Sequence, residues 1–304
     1  MFPIVPANSA AESGNQEGIF GFGAGGPTKL AITNLVSNTG VVASDTAGVG
    51  TARTTLAATQ YGGDKGIFGL GWSATYSMTN LVSNAGVVAS DTAGVAEPRM
   101  YPSACSYGED KGLFGFGYGS GIPGNMTAMT NLISNVGVVA SDTAGVAGAT
   151  GRYSLAGCEY GEDKGIFGFG YKPSEVTDIT NLVSNTGVVA SDVSGVGTAR
   201  NQVKACSYGE DKGIFGFGLA GSNTAVTNLV SNTGVVASDT AGVGTASQGK
   251  AATQYGGDKG IFGFGHDGSN YLATTNLVSD AGVVASDTAG VGTIRSTLAA
   301  CSFN

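Results

Sequence analysis

The chain has 304 residues, of which 41% are hydrophobic, 12% are charged and 53 are glycine, and its formal net charge is −8. The length allows two ordinary domains and the hydrophobic share supports a packed core. The acidic balance, with no basic run, excludes nucleic acid as the expected partner, and no stretch approaches the ~18 apolar residues of a membrane helix.

Residues 1–14 stand apart from the rest. Phe2, Ile4 and Val5, interleaved with Pro3 and Pro6, read as an extended apolar assembly arm that anchors on its own body or on another subunit. The segment has no positive n-region and is broken by the two prolines, so it is not expected to be a signal peptide. Residence where the chain is made (cytoplasmic) or exit in a particle, as a virion or extracellular surface component, then replaces general secretion.

From residue 15 onward the sequence is repetitive, and 15–304 is expected to be one domain. Thr-Asn-Leu-Val/Ile-Ser begins at Thr33, Thr79, Thr130, Thr180, Thr227 and Thr275, each time followed by Gly-Val-Val-Ala-Ser-Asp. The closing aspartates are Asp45, Asp91, Asp142, Asp192, Asp239 and Asp287, spaced 46, 51, 50, 47 and 48 residues apart. Six units result, near 15–61, 62–107, 108–160, 161–208, 209–255 and 256–304. That period matches the propeller blade of four strands.

The second unit shows the expected strands. The first is 53–61, followed by a tight turn at 62–65 with Gly66 placed for a bulge. The second is 67–71, the third 78–83 and the fourth 87–90, and a linker at 91–98 crosses to the next unit. Alternation along the second strand puts Phe68 and Leu70 on one face and Ile67, Gly69 and Gly71 on the other. Large side chains can then press on a glycine floor of the neighbouring sheet. The chain begins at a second strand, near Gly18, and ends in residues 293–303, an extra first strand. The last segment can complete the first sheet, leaving no exposed edges. The predicted fold is all-β: a six-bladed β-propeller with four-stranded blades, closed by the C-terminal strand completing the N-terminal blade.

Here a resemblance appears. An arginine, a small-residue strand with Ala-Ala, an Asp-Lys turn and a hydrophobic strand ending in Phe-Gly-x-Gly together resemble the kelch repeat. The usual kelch tryptophan of the last strand is absent, with Val-Val-Ala-Ser in its place. The near-identical units are also similar to tandem repeats of phage and environmental-virus structural proteins. These resemblances imply a structural or attachment protein whose partners are other subunits of an assembly or a surface glycan.

Comparing the six units locates the variable positions. The turns between first and second strands and between third and fourth are monotonous. The loops between second and third strands vary, carrying Trp72, Tyr76, Tyr118, Tyr171, Lys172, His266 and Tyr271, and the inter-unit linkers vary too, at 97–102 and 148–153. Loops on a rigid scaffold commonly carry binding, and exposed aromatics suit sugar rings or protein hot spots. Drift in unconstrained loops explains the same variation without function. A virion or appendage component, a stand-alone lectin-like or scaffold propeller, and a propeller enzyme are the three readings.

The catalytic reading has little to build on. One histidine, His266, cannot supply a His-rich metal site or every role of a triad, so neither catalytic residues nor a cofactor or metal are expected. Cys105, Cys158, Cys206 and Cys301 share one place in the first strand, where Thr59 and Thr253 stand in the other units. Equivalent points on packed sheets lie ~10 Å apart, too far for a disulfide, so these read as free thiols. The recurrent Asp-Thr-Ala-Gly is expected to cap its own turn through backbone N–H groups two residues on; calcium at these aspartates is the alternative. Gly21-Phe22-Gly23-Ala24-Gly25-Gly26 is not followed by a helix, so no dinucleotide loop is expected. Arg53, Arg99, Arg152, Arg200 and Arg295 open the first strands, with Ser247 in the sixth place. Each is expected to pair with a neighbouring Ser-Asp-Thr aspartate and link units; a ring of arginines holding an anion is the alternative.

Overall fold

A computed structural model of the chain describes residues 15–73, 77–119, 121–122 and 124–304. The architecture is all-β, without a helix among the described residues, and is built from small antiparallel sheets. Among the described residues six sheets are three-stranded, one per repeat, and two short two-stranded ribbons extend loops. In the second repeat, Ala57–Tyr61 pairs with Lys65–Gly69, which pairs with Thr79–Val82. The first repeat is assembled from both ends of the chain, with Ala299–Phe303 antiparallel to Glu17–Gly21, which pairs with Thr33–Val36.

Three local expectations need correction. The fourth strand is not continuous: the Val-Val-Ala-Ser segment joins the third strand through isolated bridges, Val82 to Val88 and Thr79 to Thr92 in the second repeat. Gly66 is not a bulge, because it stands in register opposite Gln60. Its lack of a side chain is needed for another reason, since a Cβ there would overlap Cys301 Sγ of the adjacent sheet. Phe68 and Leu70 do not share a face. Leu70 has φ 61°, a left-handed turn of the backbone that breaks the two-residue alternation. Phe68 therefore packs with Ile19 and Phe22 of the first sheet, whereas Ile67 and Leu70 pack with Phe114 of the third.

Sheet-to-sheet packing follows one rule. Each second-strand phenylalanine lies on the glycine floor of the sheet before it: Phe68 on Gly21, Phe114 on Gly69, Phe167 on Gly115, Phe215 on Gly168, Phe262 on Gly216, and Phe20 on Gly263. In five of the six sheets a second phenylalanine, two positions further along the strand, completes the contact edge-to-face, with Phe22 and Phe68 ring centroids 5.2 Å apart, and Leu70 takes that place against Phe114. The same order governs main-chain bonds at the first turn. Gly62 N donates to Asp110 O, Gly108 N to Asp163 O, Gly161 N to Asp211 O, Gly209 N to Asp258 O, Gly256 N to Gln16 O and Asn304 N to Asp64 O. The last two of these bonds join the chain's ends to sheets of the opposite end.

Each arginine clamps the entrance of its first strand. Arg53 is fully buried; its Nε donates to Leu70 O at 3.0 Å and its Nη2 to Asn80 Oδ1 at 2.6 Å. Asp91, 3.7 Å from Arg53 Nη1, accepts from Asn80 Nδ2 and from the backbone N–H and hydroxyl of Thr51. The aspartate thus caps the preceding linker rather than its own turn, and the Arg–Asp pair lies within one sheet rather than between two. The link to the neighbour is a cation–π contact: Arg53 Cζ sits 4.3 Å from the Phe22 ring centroid. Burial lowers the guanidinium pKa to about 10, opposed by Asp91.

Candidate functional site

The loops between second and third strands and the linkers meet on one side of the molecule, because the linker backbone pairs with the end of the second strand. Thr54 bridges Trp72, Met100 bridges Tyr118, Tyr153 bridges Tyr171 and Gln248 bridges His266. The monotonous turns meet on the other side, where Asn84 donates to Asp64 and Asn135 to Asp110.

On the variable side, the third and fourth repeats build an aromatic cluster. Tyr153 stands at its centre, with ring centroids 5.7 Å from Tyr101, 5.5 Å from Tyr118 and 5.5 Å from Tyr171. All four rings are half-buried, so each presents one surface to solvent and packs with another. Burial pushes the Tyr101 and Tyr153 phenols above their usual range, and for Tyr153 the neighbouring phenols add to this. They remain neutral hydrogen-bond donors and acceptors at physiological pH.

The other sequence candidates occupy separate groups. Trp72 is exposed, and Lys29 Nζ lies 4.0 Å from its ring centroid while donating to Ser73 O at 3.0 Å. Lys172 pairs with Glu175 at 3.1 Å. His266 stacks edge-on against Tyr271, centroids 4.9 Å apart, and its Nδ1 accepts from Gly268 N. No ring contact joins either group to the tyrosine cluster among the described residues. Tyr76 and the arm residues Phe2, Ile4 and Val5 lie outside the described residues.

Inside the molecule, the six first strands adjoin one another in cyclic order, with Ala299–Phe303 next to Ala57–Tyr61. They share a set of axial cavities. Toward the variable side the wall is a band of left-handed residues, Thr55, Tyr101, Ser154, Gln202, Gly249 and Thr297. Their backbones are bonded from sheet to sheet: Tyr101 N donates to Thr55 O, Ser154 N to Tyr101 O, Gln202 N to Ser154 O, Thr55 N to Thr297 O and Thr297 N to Gly249 O. Positive φ turns each amide toward its neighbour, which accounts for otherwise costly conformations at Thr55 and Tyr101. Toward the monotonous side, a cavity of about 300 Å³ is lined by Glu109, Glu159, Glu162 and Glu210. Burial raises the Glu159 pKa to about 7, partly offset by donation from Ser106 and Gln60.

The four cysteines are buried and unpaired in disulfides. Each Sγ rests on a glycine of the next sheet, Cys158 on Gly213 for example. Burial pushes Cys206 and Cys301 up to about 12, far from the thiolate that nucleophilic chemistry requires. Among the described residues no group of three His, Cys, Asp or Glu is arranged to hold a metal ion.

Comparing repeats reveals charged residues that the motif-by-motif reading passed over. Lys250 replaces the Leu56, Leu155 and Leu298 of other repeats and supplies the cation missing at Ser247. Its Nζ donates to Phe264 O at 3.1 Å and Asn276 Oδ1 at 3.4 Å and lies 4.5 Å from the Phe217 centroid. Ser247 Oγ donates to Thr245 O, the bond that Arg53 Nη1 makes to Thr51 O. Two residues thus divide the work of one arginine. Lys204 and Glu159 likewise stand where other repeats have small or neutral polar residues.

No family model matches the chain, and no curated protein matches it in sequence.

Proposed function

We propose that the chain is a non-catalytic attachment or assembly protein, a closed six-bladed propeller of kelch-like build that binds a protein partner or surface glycan through the tyrosine cluster. Closure is supported by the cyclic order of the Phe-on-Gly contacts and of the turn-to-turn bonds, in which Asn304 N to Asp64 O stands in the place of Gly62 N to Asp110 O. The fourth strand of each blade is then the loosely bridged Val-Val-Ala-Ser segment.

The observation that carries the binding reading is the convergence of Tyr101, Tyr118, Tyr153 and Tyr171 from two linkers and two loops. Half-buried phenols offer a stacking face and a hydroxyl without much loss of rotamer freedom on binding. Drift would not be expected to place four rings of one type in mutual contact. A non-catalytic role is supported by the buried, high-pKa thiols and by a histidine whose Nδ1 is engaged by its own loop. Membership of a virion or surface appendage is the setting that suits the apolar arm at residues 1–14.

The test is binding of the intact chain to a glycan array and to proteins of its source. Tyr153→Ala, which removes the central ring, is expected to weaken any binding found at least tenfold, and Trp72→Ala to leave it within twofold. Binding that is indifferent to Tyr153→Ala, or no binding, would remove the cluster from consideration.

A further inference from the structure

Two of the axial cavities are lined by a single charged residue, Lys204, among the described residues. Lys204 opens the strand Lys204–Tyr208, at the level where the other sheets carry Ala57, Ser103, Ala156, Ala251 and Ala299. It lines both the cavity below the left-handed band and the alanine-walled cavity of about 40 Å³ beneath it. Among the described residues no hydrogen bond or ion pair engages its amine, and none engages the Ser103 hydroxyl in the same cavity wall. Among the described residues no carboxylate lines either cavity.

The charged and titratable groups around it do not supply a counter-ion. Lys250, on the next strand, is committed to Phe264 O and Asn276 Oδ1. On the preceding strand, Glu159 lies in register with the level of Ser207, three residues further along, which is ~10 Å at a strand's rise. Cys158 and Cys206 lie a level nearer, but burial keeps both as thiols. An ammonium in an alanine-walled cavity is costly unless paired. The amine can lose its proton or gain an anion, and burial alone already lowers its pKa to about 8. The cavity is large enough for a water or two, and so for a monatomic anion, whereas a phosphate or carboxylate-bearing metabolite would overfill it.

We propose that the axial cavity is a halide site, in which one chloride-sized anion sits against the Lys204 ammonium with the Ser103 hydroxyl as second donor. The site is independent of the tyrosine cluster and of what binds there. It makes the stability of the ring depend on chloride while Lys204 is protonated.

Two measurements on the intact protein test this. Crystals soaked in bromide are expected to give an anomalous peak in the axial cavity, within hydrogen-bonding distance of Lys204 Nζ. Bromide found only elsewhere on the molecule would overturn the proposal. In solution at pH 7, replacing gluconate by chloride at constant ionic strength is expected to raise the thermal midpoint of the wild type by several degrees. It should leave Lys204→Ala unmoved, and the wild-type response should vanish at pH 10. Alanine is the residue of four of the other five repeats, so this variant retains the packing. An equal chloride response in wild type and Lys204→Ala would overturn the proposal, as would no response in either.

Discussion

Lys250 offers a sharp test of the repeat logic, because the other repeats show what should replace it. Lys250→Leu keeps the apolar bulk found at Leu56, Leu155 and Leu298. It strips the buried Phe264 carbonyl of its 3.1 Å donor and Asn276 Oδ1 of a 3.4 Å one. One well-made charged bond lost, with its acceptor left unsatisfied, costs about 2–3 kcal/mol. Ser247→Arg alone should also destabilise, since two cations would compete for the same acceptors at a cost of roughly 2 kcal/mol. The double variant Ser247→Arg/Lys250→Leu recreates the arrangement of Arg53, whose guanidinium reaches a second-strand carbonyl, a third-strand asparagine and a linker carbonyl. It should recover to within about 1 kcal/mol of wild type, a coupling of roughly 3 kcal/mol between contacting positions. Guanidinium unfolding followed by circular dichroism reads this as a shift in midpoint, which remains meaningful if repeat units unfold in more than one step. A double variant no more stable than Lys250→Leu would refute the claim that these two residues share an arginine's role.

Two further predictions follow from single contacts. Gly66→Ala should cost about 1–3 kcal/mol by overpacking against Cys301 Sγ, and Cys301→Ala should recover at least about 1 kcal/mol of that in the double variant; additive effects on the unfolding midpoint would deny the contact. Glu159 has its folded pKa raised from 4.5 to about 7 by burial, so the folded state holds the extra proton. Stability from this group is present below the unfolded pKa and is lost as pH rises from 4.5 through 7. Glu159→Gln should therefore flatten the pH dependence of the unfolding midpoint in that window and exceed wild type above it, and an unchanged pH profile would contradict the assignment.

The repeat spacing made the all-β class and the pairing of the last strand with the first legible, because six copies of one phrase leave the odd pieces at the two ends. The Phe-on-Gly packing was legible for the same reason: Gly69 and Phe68 recur together in every unit. What escaped was conformational or non-local. Nothing in Leu70 announces φ 61°, and the reversal it causes sends Phe68 and Leu70 to opposite neighbours. Asp91 was expected to cap its own turn, but Thr51 reaches it first, from a linker 40 residues earlier in the chain. Tyr118 and Tyr171 were picked out from their loops, whereas their contact with Tyr153 depends on the bridge between linker and second strand. Lys204, Glu159 and Lys250 were visible as mismatches between repeats, yet their significance depends on the axial cavity that only the packed strands create.

The proposed closure of the ring underlies both the proposed binding surface and the proposed axial site, and hydrogen exchange of the intact chain tests it most directly. The amides of Ala299–Phe303 donate to or face Glu17–Gly21 as an ordinary first strand, so they should exchange as slowly as those of Ala57–Tyr61. Removal of residues 299–304 should then release protection in Glu17–Gly21. Exchange of 299–303 at the rate of a free tail, with 17–21 unaffected by the truncation, would contradict a closed ring.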